Sequence, residues 1–164
     1  MLTKKLTINT ADKAFKKTVD AEEVLMKNVE GKIDVRNIEE DTIANNAFRK
    51  VLSTGNNLQL VLMSLLPNED IGMEVHQDVD QFFRIEEGEG ELDTQEYGTY
   101  PLKAGSSVLI KAGIHHNILN VSSDKPLKIY TLYSPPNHGA DILQNTKQEA
   151  VLAEEEGTDK SPEQ

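Results

Sequence analysis

The chain has 164 residues, of which 28 are acidic and 17 are basic, and its formal net charge is −11. This excess of acid argues against binding to nucleic acid or to an anionic membrane, because both require surfaces rich in lysine and arginine. The absence of cysteine excludes a disulfide framework, a thiolate nucleophile and a cysteine-type zinc site. No apolar run approaches the roughly 20 residues that span a bilayer, and the first residues lack the apolar core of a signal peptide. We therefore expect a cytoplasmic protein.

Residues 1–45 are polar and charged, and we interpret them as an N-terminal arm. A partial apolar stripe predicts a helix over Asp12–Val29, and Ile33–Arg36 has the composition of a short strand. A loosely docked arm that wraps the core or a neighbouring subunit is the alternative that the residues leave open.

Short strand-like segments begin near Phe48 and are separated by turn residues roughly every 8–12 positions, which is typical of an all-β sandwich or barrel. Leu58–Leu66 is apolar on both faces, so we expect a central strand or one covered by a second subunit. We assign residues 46–140 to this barrel. Residues 141–164 are predicted to form a short C-terminal helix and an acidic tail, in which Glu154–Glu156 is solvated.

Polar side chains occur at strand spacing in the stretch Gly72–Gly90. His76 and Asp78 are two residues apart, so on a strand they point to the same face. The next strand would place Gln81 inward together with two apolar residues. Donors that converge in an apolar interior suit a metal or a small ligand. Gly88–Gly90 indicates a hairpin turn after this strand.

A second polar segment follows a turn near Gly113. Of the adjacent His115 and His116 only one can face inward, and the apolar Ile118, two residues beyond His116, favours His116. Side chains alternate along a strand, so only one of Tyr130 and Tyr133 can face the interior. His138 follows two prolines in a loop and is predicted to be exposed to solvent.

Two segments resemble the two sequence motifs of the cupins, which are small jelly-roll barrels. In the first, His76 takes the place of the leading histidine, Asp78 stands where a second histidine is usual, and Gln81 stands where glutamate is usual. Gly88 keeps its place at the end of that motif. Two residues separate Asp78 from Gln81, which is fewer than the motif requires.

The second motif is matched at Gly105, Gly113, His116 and Asn120, with Lys111 where proline is usual. The chain is also similar to single-domain bacterial cupins that are labelled mannose-6-phosphate-isomerase-like, a label that does not by itself imply the isomerase reaction. The resemblance implies a double-stranded β-helix and, by analogy with the edge-strand packing of such cupins, a homodimer.

In cupins that bind metal, the matching positions hold a divalent ion such as manganese, iron, nickel or zinc. The set implied for this chain is His76, Gln81 and His116, with Asp78 as a further candidate. Gln81 is a weaker donor than a carboxylate, so a reduced affinity is expected. The ligand would be a small oxygen-rich molecule, such as a sugar or an organic acid, in isomerase- or oxygenase-type chemistry. A metal-free binding or sensing barrel and a dimeric structural protein with a vestigial pocket are the alternatives.

Overall fold

A computed structural model describes residues 33–160, in which the chain forms nine strands and two helices. The strands are β1 (Arg49–Thr54), β2 (Gln59–Leu65), β3 (Asp80–Glu87), β4 (Glu89–Thr94), β5 (Gly98–Lys103), β6 (Ser107–Ile110), β7 (His116–Asn120), β8 (Leu127–Ser134) and β9 (Leu143–Gln144), and the helices are α1 (Ile38–Ala44) and α2 (Lys147–Glu156). The barrel unit begins at Thr42, and residues 33–41 belong to a separate unit. Neither helix of this range is long and apolar enough to cross a membrane.

The strands form two antiparallel sheets. The larger sheet has the order β6-β3-β8-β2-β1-β9, and the smaller one has the order β5-β4-β7. Residues from both sheets meet in one apolar core, which contains Val61, Phe83, Leu92 and Ile118. The predicted all-β fold with a short C-terminal helix is thereby confirmed.

Two expectations for the N-terminal part have different outcomes. The predicted helix Asp12–Val29 lies outside the described residues. Ile33–Arg36 lies inside them and is not a strand, so that prediction is wrong. The boundaries at residues 46 and 140 stay a prediction.

β2 lies between β1 and β8 in the larger sheet. Val61 and Leu62 point to opposite faces of this strand, and their exposed fractions are 0% and 1%. The prediction of a central strand is confirmed. Because both faces are already buried within one chain, the apolar character of β2 does not require a second subunit.

The inward faces of β3 and β7 follow the predicted alternation. Gln81, Phe83 and Ile85 are buried, whereas Phe82 and Arg84 are partly exposed. In β7 the inward residues are His116, Ile118 and Asn120, with exposed fractions of 1%, 0% and 0%. The polar residues Gln81 and His116 therefore lie inside the barrel.

The predicted hairpin at Gly88–Gly90 is wrong. β3 pairs with β6 and β8 in the larger sheet, whereas β4 pairs with β5 and β7 in the smaller one. The chain crosses from one sheet to the other at Gly88, whose φ is 95°. A Cβ atom at this position would lie 2.6 Å from the carbonyl oxygen of Pro126. Gly88 therefore permits both the left-handed backbone and the close approach of the strand that leads into β8.

The C-terminal segment is a capped helix. The Thr146 hydroxyl accepts a hydrogen bond from the Glu149 amide at 3.2 Å, and Gly157 ends the helix with φ of 68°. The predicted solvation of Glu154 is incomplete, because its carboxylate lies 2.9 Å from the buried guanidinium of Arg49. Lys147, at the start of α2, forms an ion pair with Asp70, which connects the helix to the loop before β3.

Replacement of Gly88 by alanine tests the crossing between the sheets. We expect a loss of about 3–5 kcal/mol in the free energy of unfolding, because backbone strain and a main-chain clash act together. Gly105 is the matched control: its φ is 89°, and a Cβ there would meet no heavy atom of the chain within 4 Å. Gly105→Ala should lose only about 1–3 kcal/mol. Urea unfolding measures both values, and equal losses would contradict the close approach at Gly88.

Candidate metal centre

A backbone bridge brings two distant segments of the chain together at this site. The Glu74 amide donates to the His116 carbonyl at 2.9 Å, and the His116 amide donates to the Glu74 carbonyl at 3.0 Å. Glu74 and His116 are therefore directly opposed, with their side chains on the same side. His76 is two residues beyond Glu74 in an extended segment, so it projects to that side as well.

The side chains of these residues converge. Glu74, His76 and His116 form a cluster whose potential ligand atoms all lie within 4.8 Å of one another. His76 Nε2 is 2.8 Å from Glu74 Oε2, and the two imidazole rings are 5.9 Å apart between centroids. Glu74 and His76 also line a cavity of about 370 Å³, together with Lys147, Val151 and Glu154 of α2.

Gln81 joins the cluster from β3. Its Nε2 donates to the Thr131 hydroxyl at 3.2 Å, and its Oε1 lies 3.0 Å from His116 Nε2. The structure thus brings together His76, Gln81 and His116, three of the four residues that the cupin resemblance implied.

Asp78 lies elsewhere. It is exposed, and the cluster found among residues 33–160 does not include it. The chain bends at Gln77 and Asp78, so the same-face rule that holds on a strand does not apply between His76 and Asp78. The carboxylate beside His76 belongs to Glu74, a residue that the sequence argument missed. The same two-residue spacing, counted backwards from His76, is the signal that points to it.

Hydrogen bonding and burial set the charge state of His116. Its Nδ1 lies 2.9 Å from the Ile114 carbonyl, which can only accept, so Nδ1 carries a proton. Burial lowers the pKa of His116, and the Ile114 carbonyl and the Glu74 carboxylate oppose this shift only in part. His116 Nε2 lies 3.0 Å from Gln81 Oε1, a contact that is a hydrogen bond where Nε2 is protonated and a pair of potential metal donors where it is not.

Tyr133 extends the polar interior next to Gln81. The two residues are register partners on β8 and β3, and the Tyr133 ring packs edge-on against His76 with 5.7 Å between centroids. Burial raises the pKa of the Tyr133 hydroxyl, and the negative charge of Glu74 adds to the shift, so the group stays protonated. Tyr130 is only partly buried, which confirms that one tyrosine of the pair faces the interior.

The two remaining histidines have opposite outcomes. The prediction that His115 points outward is confirmed, since its side chain is 40% exposed and lies 3.1 Å from Glu96. The prediction that His138 is exposed is wrong, because its exposed fraction is 2%. The buried Gln59 fixes this loop: its Oε1 accepts from the His138 amide at 2.9 Å, and its Nε2 donates to the His138 carbonyl at 2.8 Å. Burial and the charge of Arg49 hold the pKa of His138 well below its usual value.

Two sheets packed around an interior on which imidazole, carboxylate and amide donors converge define a class of small ligand- or metal-binding barrels. The sequence profile of the cupin domain family matches residues 61–133 of this chain. The uncharacterised protein YrkC of Bacillus subtilis is 40% identical over 137 residues, which are 80% of this chain and 73% of YrkC. An uncharacterised protein of Acanthamoeba polyphaga mimivirus is 42% identical over 115 residues, which are 66% of this chain and 69% of the viral protein.

Solved structures agree with these sequence matches. The crystal structure of BH2720 from Bacillus halodurans is 40% identical in sequence, covers 73% of this chain and 93% of its own, and superposes with a TM-score of 0.70. A Klebsiella pneumoniae protein with a double-stranded β-helix domain is 21% identical, covers 73% of this chain and 98% of its own, and has a TM-score of 0.58, which supports the fold alone. The chain belongs to the cupin superfamily.

Glu74 and Asp78 give a matched test of which carboxylate belongs to the site. Both Glu74→Gln and Asp78→Asn remove one negative charge while they keep the size of the side chain. We expect Glu74→Gln to weaken manganese binding by about 10–100-fold. Asp78→Asn should change the affinity less than about threefold, because water and salt screen the interaction between an exposed charge outside the cluster and the metal. Titration calorimetry of the metal-free proteins measures both constants. A larger loss for Asp78→Asn would restore the ligand set implied by the motif.

Proposed function

We propose that this cupin binds a divalent metal ion through Glu74, His76 and His116, with Gln81 as a fourth donor. The observation that carries the proposal is the convergence of one carboxylate and two imidazoles within 4.8 Å. Two imidazoles and one carboxylate suit iron, manganese, nickel or zinc.

Two features of the donors fit such an ion. His76 Nε2 and Glu74 Oε2 approach to 2.8 Å, yet His76 Nε2 has no hydrogen bond of good geometry within residues 33–160. His116 Nε2 and Gln81 Oε1 also approach to 3.0 Å. Both contacts bring potential metal donors together, and a cation would stabilise such an arrangement.

A bound divalent ion would supply Lewis-acid polarisation of an oxygen atom of the ligand. The residues of the chain would hold that ligand in the cavity of about 370 Å³, the size of a small oxygen-rich molecule. Tyr133, as a protonated hydroxyl beside His76, would donate a hydrogen bond rather than accept a proton. Isomerase- or oxygenase-type chemistry on a sugar or an organic acid is the reaction class that we propose for this site.

The second candidate is a metal-free barrel that binds or senses a small molecule. It is favoured by the cavity, which offers His76, Asn137 and Lys147 as polar contacts without the need for an ion.

The cytoplasmic location and the homodimer remain proposals. For the dimer, the apolar surface formed by Tyr97, Tyr100 and Leu109 is exposed on the barrel, with fractions of 63%, 48% and 63%. Sedimentation at micromolar concentration tests the dimer, and a monomer of 18.3 kDa would contradict it.

Metal analysis and thermal unfolding test the metal proposal directly. Protein that is purified without chelator should carry about one divalent ion per chain. Removal of the ion should lower the melting temperature by roughly 5 °C or more, because an ion present at about 100 times its dissociation constant adds about 2.7 kcal/mol of stability.

The double variant His76→Ala with His116→Ala should lose both the ion and its stabilisation, whereas His115→Ala is the matched surface control and should keep them. Stoichiometric metal in a folded double variant would refute the ligand set. Absence of metal from the wild type under all four metals, together with a thermal shift by a small ligand, would favour the metal-free barrel.

A further inference from the structure

Three buried donor atoms beside the proposed centre have no hydrogen-bond partner within the part of the chain that the structure describes. They are Arg49 Nε, the Tyr133 hydroxyl and Gln144 Nε2. The exposed fractions of these residues are 2%, 0% and 5%. An N–H or O–H group buried without an acceptor destabilises the fold, so three such groups in one region indicate that an acceptor is missing.

The three donors belong to one region of the barrel. Arg49 and Gln144 are register partners on β1 and β9, and Arg49 Nη1 donates to Gln144 Oε1 at 3.3 Å. Arg49 contacts Glu154, which lines the same cavity as His76, and the Tyr133 ring packs edge-on against His76. Gln81 is the register partner of Tyr133 on β3, yet the Tyr133 hydroxyl has no hydrogen-bond partner within residues 33–160.

An internal carboxylate already reaches this guanidinium. Glu154 Oε1 lies 2.9 Å from Arg49 Nη1, and the Glu154 side chain is 48% exposed. Glu154 lines the same cavity as Glu74 and His76. Arg49 does not itself line this cavity, so a second carboxylate would reach its unpartnered Nε from the side where Glu154 stands.

The charges of the site also favour an anion. The proposed ligand set contains one carboxylate and two imidazoles, which bind a metal ion in their neutral form, so a divalent ion bound there would leave a net positive charge. The positive charges of Arg49 and Lys147 are largely matched by their partners Glu154 and Asp70. The excess positive charge next to Tyr133 is thus that of the metal site.

We propose that Arg49 and Tyr133 bind the carboxylate of a small hydroxy acid or keto acid, whose neighbouring oxygen binds the metal held by Glu74, His76 and His116. This inference rests on the proposed metal site and narrows its ligand from oxygen-rich molecules in general to small organic acids. A neutral sugar offers hydroxyl groups, which fill the Arg49 position less well than a carboxylate that accepts charge-assisted hydrogen bonds.

Two matched pairs of probes test the preference for an acid. Glycolate and pyruvate are compared with glycolamide and pyruvamide, which have nearly the same shape and no charge. Binding to manganese-loaded protein is measured by titration calorimetry. At least one acid should bind about tenfold or more tightly than its amide, since a hydrogen bond between charged groups contributes more than a neutral one. Equal affinities within both pairs would overturn the proposal.

Two variants assign the preference to the named residues. Tyr133→Phe removes only the hydroxyl and should weaken binding of the acid by about tenfold while the manganese content stays unchanged. Glu154→Gln removes the competing carboxylate from Arg49 and should tighten binding of the acid by about threefold or more, with little effect on the amide. Because the first variant weakens binding and the second strengthens it, a general loss of folding cannot imitate both results. Unchanged acid affinity in both variants would overturn the assignment.

The failure of the metal proposal is distinguishable from the failure of this one. If the wild type holds no metal, the metal site is refuted, and the same titrations are carried out on the metal-free protein. A preference for acid over amide that Tyr133→Phe abolishes would then support recognition by Arg49 and Tyr133 alone. Metal binding without any preference for acid over amide would refute the role of Arg49 and Tyr133 in recognition, while the proposed metal site would still hold.

Discussion

The main-chain pairing between Glu74 and His116 is the constraint on which the site depends. Further backbone bonds hold the same loop against β7 and the turn before it: the Ile71 amide donates to the Ile118 carbonyl at 3.0 Å, and the Gly113 amide donates to the His76 carbonyl at 2.7 Å. The buried Asn120 side chain fixes the start of the loop, because its Nδ2 donates to the carbonyls of Leu65, Leu66 and Lys125. These contacts come from the main chain or from a structural amide, so the donors of the centre are held in place before any ligand binds.

Sequence reasoning succeeds in this chain where a residue belongs to a regular strand. Gln81, Phe83 and His116 face inward because two-residue alternation operates inside β3 and β7, and each prediction needs only neighbouring residues. It fails where the loop bends. Asp78 has the correct spacing from His76 but lies past the bend. Glu74 has the same spacing on the other side of His76, and what selects it is its pairing with His116, 42 positions away.

Two other errors have the same origin. Gly88 looks like a hairpin turn because glycine permits turns and sheet crossings alike, and only the pairing of β4 with β7 decides between them. His138 follows two prolines and has every local feature of an exposed loop. It is buried because the Gln59 side chain on β2, 79 positions earlier, satisfies the backbone of that loop. Contacts of this range are properties of the fold as a whole and have no signature in the adjoining sequence.

The buried Arg49 is the residue that stability alone explains least. It shares the inward face of β1 with the core residue Val51, and its single ion-pair partner in the described chain, Glu154, is 48% exposed. Transfer of a charged group into a barrel costs several kcal/mol. Burial lowers the pKa of Arg49, but the nearby Glu74 and Glu154 carboxylates help to hold it above its usual value. An apolar side chain of similar volume would fill the position without this compensation, and the proposed role in ligand binding would account for the charge.

The negative charge of the chain and the proposed acidic ligand are compatible because they act over different distances. The net charge of −11 belongs to residues spread over the whole chain. At physiological ionic strength, exposed charges are screened beyond about 8 Å, so most of them contribute little inside the cavity. The field at the centre is set by nearby charges, among them Glu74, Glu154, Lys147, Asp159 and Lys160 on the cavity wall, and by an ion bound at the proposed site. The acidic surface slows the approach of an anionic ligand, whereas the local charges determine how tightly the bound ligand is held. Salt should therefore change the association rate of the ligand rather than its dissociation rate.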